Sequence, residues 1–211
     1  MTPAQELAAR LQQCPLVAII RGVTPDEVEA VGEAIVAGGI QIVEVPLNSP
    51  DPLESIRRLA TRLGDRALVG AGTVLDPDDV ARVRQAGGRL IVSPDTHEPV
   101  IRATVAVGLV SSPGFFTPSE AFAALRAGAH ALKLFPAEAA HPGVVKAQRA
   151  VLPPNVPLLV VGGITPDNMA PWRDAGATGF GLGSGLYRPG LSADEVGARS
   201  RAYVRAVTEL R

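Results

Sequence analysis

Short apolar runs rich in Val, Ile and Leu recur along the chain, with starts near Val17, Ile42, Leu68, Leu90, Leu109, Ala131, Leu158 and Gly179. The stretches between them carry apolar residues at helical spacing. Each repeat of roughly 19 to 27 residues has room for one strand, one helix and two short loops. Thr24-Pro25-Asp26-Glu27, Asp76-Pro77-Asp78-Asp79, Thr117-Pro118-Ser119-Glu120 and Thr165-Pro166-Asp167 each set a capping side chain before a first-turn proline and an acid, predicting four helix starts. Gly38-Gly39, Gly87-Gly88, Gly108, Gly128 and Gly176 predict the matching stops.

Strands that alternate with helices pair in parallel, and continuously apolar strands are covered on both faces. Eight such units predict a single-domain α/β fold, the closed (β/α)8 or TIM barrel, with its functional residues at the carboxyl ends of the strands. Within residues 1–14 a helix of about Pro3 to Gln13 is expected to cap the opposite end. Residues 15–190 are expected to hold the barrel strands and the site, and residues 191–211 a C-terminal helix. No linker or low-complexity segment interrupts the pattern.

Composition narrows the function more than the fold. At 211 residues and 46% hydrophobic content the chain can bury a large core. Its 20 basic and 21 acidic residues leave a net charge of −1 without long runs, so no field exists for nucleic acid or an anionic membrane. Any anion site must be local. A single cysteine, Cys14, excludes an internal disulfide and a cysteine-built metal site. With no stretch of about 18 apolar residues and no signal-like start, a soluble, cytoplasmic protein is expected. His97, His130 and His141 lack metal-ligand spacing, so no metal is expected.

The candidate chemistry lies in charged residues inside apolar strands. Lys133, one of only two lysines, sits in Ala131-Leu132-Lys133-Leu134-Phe135-Pro136. In a strand Leu132 and Leu134 share one face and Lys133 takes the other, so in a closed barrel the leucines meet the helices and the amine points inward. Burial there disfavours the ammonium form and makes a lysine able to attack a carbonyl. Glu44, in Ile42-Val43-Glu44-Val45-Pro46, is likewise a lone charge; it can neutralise Lys133, shuttle protons for it, or do both. Arg21 ends Val17-Ala18-Ile19-Ile20-Arg21 and is either a structural partner of Glu44 or a clamp for a substrate carboxylate. Thr73 follows Gly70-Ala71-Gly72 and offers a hydroxyl beside an approachable backbone.

The last two strands end in Val161-Gly162-Gly163-Ile164-Thr165-Pro166 and Gly179-Phe180-Gly181-Leu182-Gly183-Ser184-Gly185, which set glycines where backbone amides can face a phosphate. The spacing of the second does not fit a dinucleotide fingerprint. Lys146 reads as an exposed helix position, and Trp172, Tyr187, Tyr203 and Cys14 as packing residues.

Val-Glu-Val-Pro at 43–46, Gly-Ala-Gly-Thr-Val at 70–74, Ser-Pro-Gly at 112–114, Leu-Lys-Leu-Phe-Pro-Ala-Glu at 132–138 and Val-Gly-Gly-Ile-Thr-Pro at 161–166 resemble, in register from about Pro15 to Tyr187, the 2-keto-3-deoxy-6-phosphogluconate and 6-phosphogalactonate aldolases. The resemblance implies a class I aldolase that needs no metal or cofactor and is commonly a homotrimer. Position by position it implies Lys133 as the Schiff-base lysine, Glu44 as general acid/base, Arg21 and Thr73 as substrate-carboxylate contacts, and Gly162, Gly163, Gly183 and Ser184 as the phosphate site. It implies a phosphorylated 2-keto-3-deoxy sugar acid as substrate, with pyruvate and glyceraldehyde 3-phosphate as products.

Pro46-Leu47-Asn48-Ser49-Pro50 lacks the arginine that the phosphogluconate enzymes typically carry there and is similar to the phosphogalactonate branch, as is Ile20-Arg21-Gly22-Val23-Thr24-Pro25-Asp26-Glu27. Phe135-Pro136-Ala137-Glu138 is similar to the phosphogluconate branch, which keeps that activity, or a dual one, as the alternative. Phe115-Phe116 replaces smaller residues common at that turn, and its bulk is expected to narrow the pocket. A phosphosugar isomerase using Glu44 without an imine, or a noncatalytic phospholigand-binding module, fits the same barrel less well.

Overall fold

A computed structural model describes residues 1–210, and each apolar run is a strand. The strands are β1 (Leu16–Ile19), β2 (Ile42–Pro46), β3 (Leu68–Gly72), β4 (Leu90–Val92), β5 (Val110–Ser112), β6 (Gly114–Phe115), β7 (Leu132–Leu134), β8 (Leu158–Val161) and β9 (Gly179–Leu182). The helices are α1 (Pro3–Gln13), α2 (Val28–Ala37), α3 (Pro52–Leu63), α4 (Pro77–Gln85), α5 (Glu98–Ala106), α6 (Pro118–Arg126), α7 (Pro142–Arg149), α8 (Met169–Asp174) and α9 (Ala193–Thr208).

All strand pairs are parallel, in the order β5-β4-β3-β2-β1-β9-β8-β7-β6. Among the described residues nine strands appear where eight were expected, because Pro113 divides the fifth. Proline has no N–H to give to a ladder. β5 pairs with β4 while β6 pairs with β7, and the Pro113 carbonyl still accepts from the Lys133 N–H at 2.9 Å. The two ends of the sheet are thus one strand with a break, and the barrel is nearly closed.

Period-two alternation sorts the strand residues into two cores. Leu16, Ala18, Val43, Val45, Leu132, Leu134, Leu158 and Val160 pack outward against the helices. Val17, Ile19, Ile42, Leu68, Leu90, Val110, Ala131, Leu159 and Val161 fill the interior, where Leu7 and Leu11 of α1 join them. The α1 helix therefore plugs one end, as expected of it. Thr2 starts α1 with a capping box closed by Gln5.

The capping signals at Asp76 and Thr117 start α4 and α6 as read. Two others are corrected. Thr165 caps a single 3-10 turn, Pro166–Asn168, ahead of α8. α2 begins at Val28, one turn after Thr24, because the Glu27 carboxylate accepts from the Thr24 N–H at 2.9 Å and closes a separate turn there. Gly128, at φ +101°, ends α6 and turns the chain into β7. No helix among the described residues is long and apolar enough to cross a membrane.

Candidate active site

The alternation that fills the interior with Val and Leu also turns Glu44 and Lys133 inward. Glu44 pairs in register with Ile19 and Gly70 on its neighbouring strands, and Lys133 with Gly114 and Leu159. Glu44 is 2% exposed and Lys133 7%. Beneath them the barrel interior is lined by Leu7, Val17, Ile42, Leu90 and Leu159 together with Ser112, and this mostly apolar packing desolvates both charges.

This burial decides their protonation. Desolvation raises the Glu44 carboxyl to about 7, against a partial opposing pull from Lys133 and Arg21. Desolvation likewise lowers the Lys133 ammonium; Glu44 opposes the shift and Arg21 adds to it. Lys133 takes part in no ion pair among the described residues. Its Nζ lies 4.8 Å from the centre of the Phe135 ring, a contact that favours the ammonium form whenever it is present. Glu44 Oε2 is buried without a hydrogen-bond partner, and a Cβ at Gly72 would lie 1.8 Å from it. Only glycine at 72 leaves the carboxylate its place.

Above this pair a cleft of about 550 Å³ opens at the carboxyl ends of the strands. It brings together all eight residues singled out in the sequence: Arg21, Glu44, Thr73, Lys133, Gly162, Gly163, Gly183 and Ser184. A volume of that order suits a small-molecule ligand. Arg21 is exposed at one side. Its guanidinium donates to Asn48 Oδ1 through a short contact, and to Thr73 Oγ1 at 3.4 Å from both terminal nitrogens. Arg21 therefore reaches Glu44 only through its field, not as a hydrogen-bonded partner. Thr73 holds φ at +55°, a left-handed conformation that non-glycine residues rarely adopt and that clusters at functional sites.

The opposite side is built from the two glycine loops. Gly162 and Gly163 sit at φ +116° and +63°. Asn168 pins this loop by accepting from the Thr165 N–H at 3.0 Å and donating to the Gly163 carbonyl at 2.8 Å. The Gly183 carbonyl accepts from the N–H groups of Leu186 and Tyr187, and Arg199 holds the Gly185 carbonyl at 3.1 Å. Among the described residues no hydrogen bond uses the N–H of Gly163, Ser184 or Gly185, which leaves three donors for a ligand anion.

The cleft also contains residues that strand patterning did not single out. Pro94, Phe135, Glu138, Tyr187 and Arg188 line it, and all but Phe135 come from loop sequence without a periodic signature. Tyr187, a packing residue by its sequence, lines the cleft as well. It is buried, and that burial, together with the hydrogen bond its hydroxyl donates to Glu27 Oε1 at 2.9 Å, raises its pKa. Phe115-Phe116 is a correction. Phe115 is buried in the outer core and Phe116 is 36% exposed, so neither lines the cleft and their bulk does not narrow it. Lys146 is exposed on α7, and Trp172, Tyr203 and Cys14 are buried.

The family model for KDPG and KHG aldolases matches residues 7–203 of the chain. The chain is 48% identical to the 2-dehydro-3-deoxy-6-phosphogalactonate aldolase of Escherichia coli (strain K12) over 195 residues, 92% of this chain and 95% of that protein. A solved structure described as native KDPGal superposes with a TM-score of 0.92 at 47% identity, covering 94% of this chain and 96% of that one. A cube-shaped, highly porous protein cage designed by fusing symmetric oligomeric domains matches with a TM-score of 0.91 at 48% identity, covering 93% of this chain and 73% of that one.

Proposed function

The chain belongs to the KDPG and KHG aldolase family, and from that premise we propose that it is a class I aldolase cleaving 2-dehydro-3-deoxy-6-phosphogalactonate to pyruvate and glyceraldehyde 3-phosphate. One observation carries the mechanism. A desolvated amine and a desolvated carboxylate, whose pKa values burial draws toward neutrality, face one cleft from separate strands.

In this reading Lys133 Nζ, neutral, attacks the C2 ketone of the substrate to give a carbinolamine. Glu44 delivers the proton that lets water leave, and a protonated imine forms. The Glu44 carboxylate then takes the C4 hydroxyl proton as the C3–C4 bond breaks. The bond's electron pair flows into the imine, glyceraldehyde 3-phosphate departs, and the enamine of pyruvate stays on Lys133. Protonation at C3 and hydrolysis release pyruvate and return the amine. A Glu44 carboxyl near 7 is suited to both taking and giving a proton.

Arg21 and Thr73 hold the substrate carboxylate, and Gly162, Gly163, Gly183 and Ser184 hold the phosphate. Supporting this are the Arg21–Thr73 contact on one side and three uncommitted N–H groups on the other. Arg188 stands in the same cleft and adds positive charge to the phosphate end. Anchoring both ends fixes C2 against Lys133, and such orientation supplies several kcal/mol of barrier reduction.

The test is pyruvate release from the two C4-epimeric phosphorylated substrates. The galacto epimer is expected to react with the larger kcat/KM; a larger value for the gluco epimer assigns the chain to the phosphogluconate activity instead. We place the enzyme in the cytoplasm, and we read it as a homotrimer; similarity to a cage built from symmetric oligomeric domains supports an oligomer. Sedimentation at micromolar concentration checks the trimer.

A further inference from the structure

The phosphate end of the cleft contains a carboxylate. Glu138 lies in the 3-10 turn Ala137–Ala139 that follows β7, and it lines the cleft with the glycine loops. Its position is set against both glycines. A Cβ on Gly162 would lie 2.0 Å from Glu138 Oε2, and a Cβ on Gly163 would lie 2.9 Å from Glu138 Cγ. Both glycines have positive φ, so neither position would take a side chain without strain as well as a clash with the acid. Glu138 itself is exposed and enters no ion pair among the described residues.

We propose that Glu138 is a specificity-determining residue, whose carboxylate competes with a ligand's phosphate for the Gly162–Gly163 cradle. The inference rests on the reading of that end as the phosphate site. A phosphate and a carboxylate cannot share one stretch of backbone at contact distance, since like charges repel and each needs the same space. The phosphate must displace the side chain, which is exposed and has solvent to turn into. An anion held only at this end meets that competition with nothing to offset it. A substrate held also at Lys133 and Arg21 does not, because its second anchor raises the effective concentration of its phosphate at the cradle. Glu138 therefore screens out free small anions and sharpens selection for ligands that carry phosphate and keto acid together.

The experiment compares the wild-type protein with Glu138→Gln, which keeps the shape and removes the charge, and Glu138→Ala, which removes both. Inorganic phosphate is the probe, and calorimetric titration of the intact protein needs no turnover. Phosphate is expected to bind both variants about threefold or more tightly than wild type at low salt, and the difference should shrink as ionic strength rises toward about 0.15 M and beyond. Phosphate that binds both variants no better than wild type overturns the proposal. Borohydride trapping of pyruvate on Lys133, run on the same three proteins, reports the aldolase reading separately. Trapping without any gain in phosphate binding overturns the role of Glu138 alone, whereas no trapping in wild type overturns the reading beneath it.

Discussion

The two ends of the barrel interior are made by one rule and serve opposite ends. At the amino-terminal end Val17, Ile42, Leu68, Leu90, Val110 and Leu159 point inward with Leu7 and Leu11 of α1 among them, and the space is closed and apolar. Two residues beyond Ile42 and Ala131 the same alternation delivers Glu44 and Lys133, with the cleft opening above them. The lesson is that the chemistry of the upper end depends on the dryness of the lower one. Without a hydrophobic floor, water would solvate both charges and restore their ordinary protonation.

Four substitutions break or sharpen that contrast. Lys133→Ala removes the amine and is expected to lower kcat/KM by roughly 10⁴-fold or more, measured as pyruvate release. Glu44→Gln comes next, at roughly 10²- to 10⁴-fold. Wild-type kcat/KM is expected to fall as pH drops below about 7, because the carboxylate form of Glu44, the proposed base, is lost there, and Glu44→Gln should lose that limb. Stability moves the other way. Glu44 has a raised carboxyl, so the folded state keeps a proton that the unfolded chain releases, and wild-type stability declines as pH rises from about 4.5 to about 7. Glu44→Gln avoids that decline and should be more stable above pH 7 by on the order of 3 kcal/mol, read by urea denaturation.

Leu7→Ala tests the floor itself. It is expected to destabilise the fold by about 2–5 kcal/mol as a buried leucine truncation. It should also admit water below the pair, so that Glu44 titrates at lower pH than in wild type; an unchanged Glu44 titration by carboxyl NMR would separate the two ends that this account joins. The smallest effect belongs to the open rim. Ser184→Ala removes one exposed hydroxyl and should raise KM for the phosphorylated substrate by about five- to tenfold, a single hydrogen bond to a charged group, with kcat little changed.

Much of this was legible in strand patterning. A charge at the centre of Leu-Lys-Leu or Val-Glu-Val must face away from its neighbours, and once the repeat count implies a barrel, that direction is inward. Residues in loops escaped the same logic. Pro94, Glu138 and Arg188 enter the cleft from segments without periodicity, and their positions follow from how three separate loops fold over one end of the barrel. Phe115-Phe116 failed for a related reason: Pro113 breaks the fifth strand, and the residue after the break is set by β6 pairing with β7 rather than by distance in sequence from the site. The turn at Thr24–Glu27 displaced the start of α2 because a side chain closed it first.

The central claim is that the buried lysine, and not simply any lysine, carries the chemistry, and the chain offers its own control in Lys146, exposed on α7. Incubation with pyruvate and borohydride, followed by peptide mass mapping, reads it directly. The expected result is a single reduced adduct on the peptide containing Lys133, absent from Lys133→Ala. An adduct on Lys146, or a wild-type protein that cleaves substrate yet traps no pyruvate, would contradict it.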